Sequence, residues 1–123
     1  MDKLARRITP LTILPDIGAM AQQYRDLGFE AVETGEPDCV GMLAGETGVI
    51  LATVDHMAAD FGAAAVAPLA GRTIPYIYVR SVAEAAAGFT PPASVLAQVT
   101  TRGGTFEALI EREGQHFILA EKR

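Results

Sequence analysis

Tryptophan is absent and cysteine occurs once in 123 residues. With Cys39 alone, neither an intramolecular disulfide nor a cysteine-based zinc cluster can form within the chain. Long hydrophobic runs are missing too. The longest apolar stretch, Phe61 to Ala70, is broken by Gly62 and Pro68 and falls far short of the ~20 residues of a bilayer span. The opening Met1-Asp2-Lys3-Leu4-Ala5-Arg6-Arg7 faintly resembles the charged start of a signal peptide. Pro10, Pro15 and Asp16 interrupt the next ten residues, so no apolar signal core is expected. No basic run interleaved with aromatics occurs. Lys and Arg number 10 against 15 Asp and Glu, a net charge of −5. A phosphate-tracking face for nucleic acid is therefore not expected, and the mild acidic excess mainly serves solubility. Gly-x-Gly-x-x-Gly, phosphate-loop and Gly-x-Ser-x-Gly patterns are all missing. These absences point to a cytoplasmic protein with neither membrane nor nucleic acid as partner.

Half of the residues are apolar and a fifth are charged, a composition that folds rather than stays disordered. A chain of this length buries roughly two thirds of its unfolded surface as one domain, here residues 1–123. Ile8 to Leu14 reads as a strand. Pro15-Asp16 opens a helix with Asp16 as N-cap. Ile17, Met20, Ala21, Tyr24 and Leu27 recur at helical spacing on one face, and Gly28 stops the helix. Phe29 to Thr34, Cys39 to Ala44 and Gly48 to Val54 come next as strands between turn-forming segments. His56 to Gly71 is Ala-rich, with one helical piece near Met57 to Phe61 and then a connector.

The second half repeats the order. Ile74 to Arg80 is a strand, and Ser81-Val82-Ala83-Glu84 is a capping box that opens a short helix ending at Gly88. Ser94 to Arg102, Thr105 to Arg112 and Gln115 to Lys122 are strands, joined by Gly103-Gly104 and by Glu113-Gly114. Pro10-Leu11-Thr12-Ile13-Leu14 parallels Pro75-Tyr76-Ile77-Tyr78-Val79. Leu27-Gly28-Phe29 parallels Ala87-Gly88-Phe89, and Ile50-Leu51-Ala52 recurs as Ile118-Leu119-Ala120. The fold class expected is α+β. Two βαβββ modules, 8–55 and 74–123, flank a connector at 56–73 and form a curved mixed sheet with helices on its outer face and a concave cleft.

Asp16 followed by Tyr24-Arg25-Asp26-Leu27-Gly28-Phe29, then Tyr76-Ile77-Tyr78-Val79-Arg80-Ser81-Val82 and Glu113-Gly114-Gln115-His116-Phe117-Ile118-Leu119-Ala120, resemble the module openings and last strand of the glyoxalase/bleomycin-resistance/extradiol-dioxygenase (vicinal oxygen chelate) superfamily. The resemblance covers nearly the whole chain. It implies a divalent metal held by His, Gln or Glu from the first and last strands of the modules. Carried onto this chain, those positions are Thr9, Ile50, Ile74 and Ile118. Pro10, Leu51, Pro75 and Leu119 stand one residue away. Hydrocarbon side chains and a lone hydroxyl are no ligand set for such a cation. No metal and no cofactor is therefore expected, and no catalytic residue is assigned. A displaced site built from His56, His116 and Glu107 or Glu111 is the alternative.

Strand parity places Tyr76, Tyr78 and His116 on the inner surface of the cleft, with Arg80 at its rim. Phenols and an imidazole in an apolar trough suit a flat ligand. Tyr76 and Tyr78 packing in a core or dimer seam is the rival reading. Met42 is a candidate soft lining residue, with core filling its other role. Tyr24 is expected in the core. Arg102, Glu107 and Glu111 are expected as solvated strand positions, His56 as a solvent-side loop residue, and His116 as a strand residue with a local hydrogen bond. Cys39 is expected as a buried, inert thiol. Asp55-His56 adjacency does not make a catalytic pair. The function expected is metal-free binding of a small aromatic ligand, with homodimerisation implied by the resemblance. The rivals are a metal-dependent lyase, isomerase or dioxygenase, and a structural or regulatory dimer with a closed cleft.

Overall fold

The computed structural model describes residues 4–122. Met1-Asp2-Lys3 of the signal-like opening, and Arg123 at the end of the second module, lie outside the described residues. The first half runs β1 (Ala5–Leu14), α1 (Gly18–Asp26), β2 (Glu30–Glu33), β3 (Cys39–Ala44) and β4 (Thr47–Thr53). The connector forms α2 (Val54–Phe61), α3 (Ala63–Val66) and a 3₁₀ turn (Ala67–Leu69). The second half runs β5 (Thr73–Val79), α4 (Val82–Ala87), β6 (Ser94–Thr100), β7 (Thr105–Arg112) and β8 (Gln115–Lys122).

All eight strands form one unclosed mixed sheet in the order β2-β3-β4-β1-β5-β8-β7-β6. Each half contributes four neighbouring strands, and the halves join where β1 runs antiparallel to β5. Pro10 lies directly opposite Pro75 at that seam. An antiparallel pair allows this at a position without hydrogen bonds. Each proline also precedes the parallel ladder on its strand's other side, which begins at Leu11 on β4 and at Tyr76 on β8. Its missing N–H therefore costs no sheet bond there.

The outer face is covered by the module helices. Met42, Val49 and Leu51 are buried with Ala21 of α1, and Tyr24 packs against them. The chain leaves α1 through paired bonds, Gly28 N–H to Arg25 O and Phe29 N–H to Tyr24 O. Gly28 takes φ +98, and the Tyr24 and Phe29 rings meet edge-on at 5.0 Å. This is the left-handed stop expected of glycine, with its hydrophobic clasp. Leu27, expected on the apolar face, is 76% exposed because the chain turns away there. At the helix start the Asp16 carboxylate accepts from Gly18 N–H, although the cap position itself falls at Ile17. In the second half, Val82 and Ala86 of α4 pack on Val79, Ala108, Ile110 and Leu119. Ser81 accepts from Glu84 N–H, while the Glu84 carboxylate turns to Arg80 at 3.5 Å.

The inner face departs from expectation. Its apolar residues, among them Leu11, Ile13, Ala52, Leu109 and Ile118, are covered by the connector through Met57, Phe61, Val66 and Leu69. Thr53 caps α2 by accepting from His56 N–H, and Gly62 at φ +91 turns the chain into α3. Each large side chain buried there contributes roughly 1.5–3 kcal/mol. Helices therefore lie on both faces. The connector fills part of the trough that the sequence leaves open.

Candidate functional site

What remains of the trough is a cavity of about 150 Å³. Its floor is Leu11, Ile50 and Ile118, and its second-half wall is Tyr76, Tyr78 and Glu107. Met57, His56 and Asp60 of α2 close it from above, and Thr34, Glu36 and Cys39 from the first-half edge. Thr101, Gly103 and Thr105 of the β6–β7 hairpin reach the same space. Both ends of the sheet thus converge on it.

Glu107 is the least expected member. It lies 9% exposed in β7, opposite Ala120. Burial raises its carboxyl from 4.5 to about 7. A hydrogen bond donated by the Tyr76 hydroxyl to Oε2 pulls the other way, and the charges of Asp60 and Glu36 add to the rise. The other oxygen of Glu107 has no hydrogen-bond partner among the described residues. Tyr76 is itself pushed far above the phenol range, first by burial and then by the Glu107 charge. It therefore acts as a donor, not as a phenolate. The Tyr76 and Tyr78 rings meet edge-on at 5.2 Å.

The opposite wall carries polar groups of its own. Burial raises the Cys39 thiol, against a lowering by Thr34. Asp60 is raised by burial, partly offset by His56, whose Nε2 lies 3.7 Å from the Asp60 carboxylate. One carboxylate oxygen of Glu36 is buried without a partner among the described residues. The site can therefore present hydrogen-bond acceptors in a partly apolar enclosure. Held protonated, Cys39 is a poor nucleophile.

The structure brings Tyr76 and Tyr78 together in this cavity and leaves the other expected lining residues outside it. Met42 faces outward and is fully buried toward α1, because it lies three residues from inward-facing Cys39 and so on the other side of the strand. Arg80 sits beyond β5 and pairs with Glu84. His116 lies opposite Glu111, one inward position past Ile118 and away from the cavity. Its Nδ1 is buried without a hydrogen-bond partner among the described residues, where a local bond is expected. His56, expected in a loop, is helical and nearly buried.

The metal that the resemblance implies finds no fit among these side chains. Of the four carried positions, Ile50 and Ile118 line the cavity and present hydrocarbon, while Thr9 and Ile74 do not line it; Leu11 and Tyr76 stand opposite Ile50 and Ile118 instead. The displaced set fails as well, since His56 and Glu107 line the cavity while His116 and Glu111 do not. Among the described residues no group of three His, Cys, Asp or Glu could hold a metal ion.

Glu107, named from the sequence only as an alternative metal ligand and otherwise expected in solvent, is buried in the cavity; both faces of β7 are apolar, so alternation carries no signal. The Glu113-Gly114 turn does carry one. It pairs Arg112 with Gln115 and therefore Glu107 with Ala120, which the Ile-Leu-Ala repeat already places on the inner face.

No protein-family model and no curated protein matches the chain. Solved structures do. A glyoxalase/bleomycin resistance protein/dioxygenase superfamily member from Vibrio splendidus 12B01 aligns over 94% of this chain and 98% of its own, with TM-score 0.63 and 14% identity. Methylmalonyl-CoA epimerase from Mycobacterium tuberculosis aligns over 100% of this chain and 92% of its own, with TM-score 0.66 and 9% identity. The chain thus has the fold of the glyoxalase/bleomycin-resistance/dioxygenase superfamily. No helix among the described residues is long and apolar enough to cross a membrane.

Proposed function

We propose that this chain binds a small, flat organic molecule in the cavity between Tyr76 and Cys39, without a metal and without breaking a bond. One observation carries the reading: a cavity of about 150 Å³ with a carboxylate oxygen of Glu107 open to a hydrogen-bond donor. Enclosures of about this size accept a benzene-sized guest. The Tyr76 and Tyr78 rings supply apolar surface, and Glu107 orients whatever carries an O–H or N–H. Phenol, aniline and toluene form a direct test by ligand-observed NMR. Phenol and aniline are expected to bind saturably in buffer containing chelator. Toluene is expected to bind more weakly, and Glu107→Leu to remove the difference. Equal binding of all three, or binding only after a divalent metal is added, would refute the reading.

A second reading has its own support. Met57, Phe61, Val66 and Leu69 already fill much of the inner face, as a structural or regulatory protein with a closed cleft would require. Absence of binding by every member of the panel would favour it. Homodimerisation remains part of the proposal on the resemblance alone. Sedimentation at micromolar concentration checks it, and the cavity as lined by this chain needs no second copy.

A further inference from the structure

Past Tyr78 the inner row of the sheet changes character. Arg7 lies opposite Tyr78 across β1 and β5. Tyr78 lies opposite Ala120 across β5 and β8. Arg80 and Lys122 come two residues later on these parallel neighbours, which puts them side by side. A register shift between Ala5 and Arg7 inserts Arg6 at the same end. Arg6, Arg7, Arg80 and Lys122, with Tyr78 and Val79, line a hollow of about 460 Å³, with no carboxylate among its described lining residues.

The chain carries a net charge of −5 with only 10 Lys and Arg, yet four of its cations meet at this hollow. Like charges on adjacent strands repel, so their grouping is unfavourable unless anions offset it. Among the described residues, two carboxylates border the group. Glu84 lies 3.5 Å from Arg80, and Glu121 accepts from Val82 N–H at 2.8 Å. Arg7 and Lys122 have no carboxylate at ion-pair distance among the described residues. Arg7 is already oriented. Its guanidinium lies 4.7 Å from the Tyr78 ring centroid. Stacking uses the face of the group and leaves its in-plane N–H donors available.

We propose that this hollow binds an organic phosphate, with the dianion held by Arg7, Arg80 and Lys122. Guanidinium groups match phosphate oxygens in pairs, and several positive charges suit a group of about −2. Small-molecule sites occupy ~300–1,000 Å³. The hollow falls in that range and has room for more than a bare phosphate. The site is separate from the Glu107 cavity, although Tyr78 borders both.

Calorimetric titration at pH 8 and low salt tests it, with phenyl phosphate, inorganic phosphate and phenol as probes. Phenyl phosphate is expected to bind one to one and to weaken as salt is raised. Arg7→Gln and Lys122→Gln each weaken it by about tenfold or more, the loss of one charge-assisted contact. Glu84→Gln keeps the backbone cap partner and removes the carboxylate beside Arg80, so it tightens binding, a gain that misfolding cannot imitate. Phenol reports on the inner cavity and is expected to ignore Arg7→Gln. Three results would each overturn the proposal: no binding of phenyl phosphate, binding unchanged in both charge-removing variants, or inorganic phosphate binding as tightly as its phenyl ester.

Discussion

The two halves share a backbone and divide the chemistry. Leu11 sits opposite Ile50 as Tyr76 sits opposite Ile118. Ile13 and Tyr78 each face an alanine, Ala52 and Ala120. Across the hairpins, Cys39 meets Ala52 as Glu107 meets Ala120. The seam pairs Pro10 with Pro75, so the local symmetry passes between them. At matched positions the first half therefore offers leucine, isoleucine and a thiol, and the second offers two phenols and a carboxylate. The matched strands of both halves form the enclosure, and at these positions the polar side chains come from the second.

If the scaffold is truly shared, matched outer-face residues should matter alike. Leu51 is 0% exposed under α1 and Leu119 is 2% exposed under α4. Leu51→Ala and Leu119→Ala are each expected to cost about 2–5 kcal/mol in urea denaturation. A near-neutral result for either would break the equivalence of the two halves.

The inner face should show the opposite, a strong asymmetry with pH. The Glu107 carboxyl is raised in the folded chain from 4.5 to about 7. Between those values the unfolded chain gives up this proton first, so raising the pH favours unfolding. The stability held by protonated Glu107 is full below about pH 4.5 and lost as pH rises through about 7, about 3 kcal/mol in all. Asp60, also raised by burial, adds in the same sense. Urea midpoints are expected to fall across this window in the parent and to fall less in Glu107→Gln. Cys39→Ser, at the matched position, should keep the parent's slope. Equal slopes in the parent and Glu107→Gln would remove the carboxylate from the account.

Tyr76→Phe probes the bond that distinguishes the second half. It strips Glu107 of its one hydrogen-bond donor among the described residues, at an expected cost of about 1–3 kcal/mol. The loss should be larger at pH 8 than at pH 5, since the donor matters most to the ionised acid. Replacing both partners, Tyr76→Leu with Glu107→Leu, gives the second half the hydrocarbon of the first. It should recover much of the stability, because no buried polar group is then orphaned. A double variant worse than Tyr76→Phe would show that the phenol matters mainly through its packing.

Legibility went with locality. The spans Cys39–Ala44, Thr105–Arg112 and Gln115–Lys122 read from the sequence match the strands observed. Each is bounded by turns that announce themselves, such as Glu113-Gly114, where both residues take positive φ. The repeat alignment of Leu11 with Tyr76 and Ile50 with Ile118 matches the strand register. The helical piece expected near Met57 to Phe61 lies within α2, but the connector's place over the inner face was illegible for a physical reason. Its alanines carry no apolar stripe, and it is held down by an inner face assembled from both halves. Glu107 was hidden by apolar neighbours on either side. The Arg7 group was hidden because its members come from β1, the end of β5 and β8, and meet only in the folded sheet.

Cys39 offers the gentlest perturbation of the comparison. It occupies in the first half the place of Glu107, and burial holds its thiol in the protonated form. Alkylation requires the thiolate, so iodoacetamide at pH 8 should react more slowly than with free cysteine. Urea should restore the ordinary rate. A benzene-sized ligand in the cavity should slow the reaction further, because Cys39 lines the same wall. Replacing the thiol by serine changes little else, with an expected loss below about 1 kcal/mol. A folded-state rate equal to that of free cysteine would mean that the first-half wall is open to water. The contrast between the thiol and the carboxyl at these matched positions would then reflect exposure rather than residue chemistry.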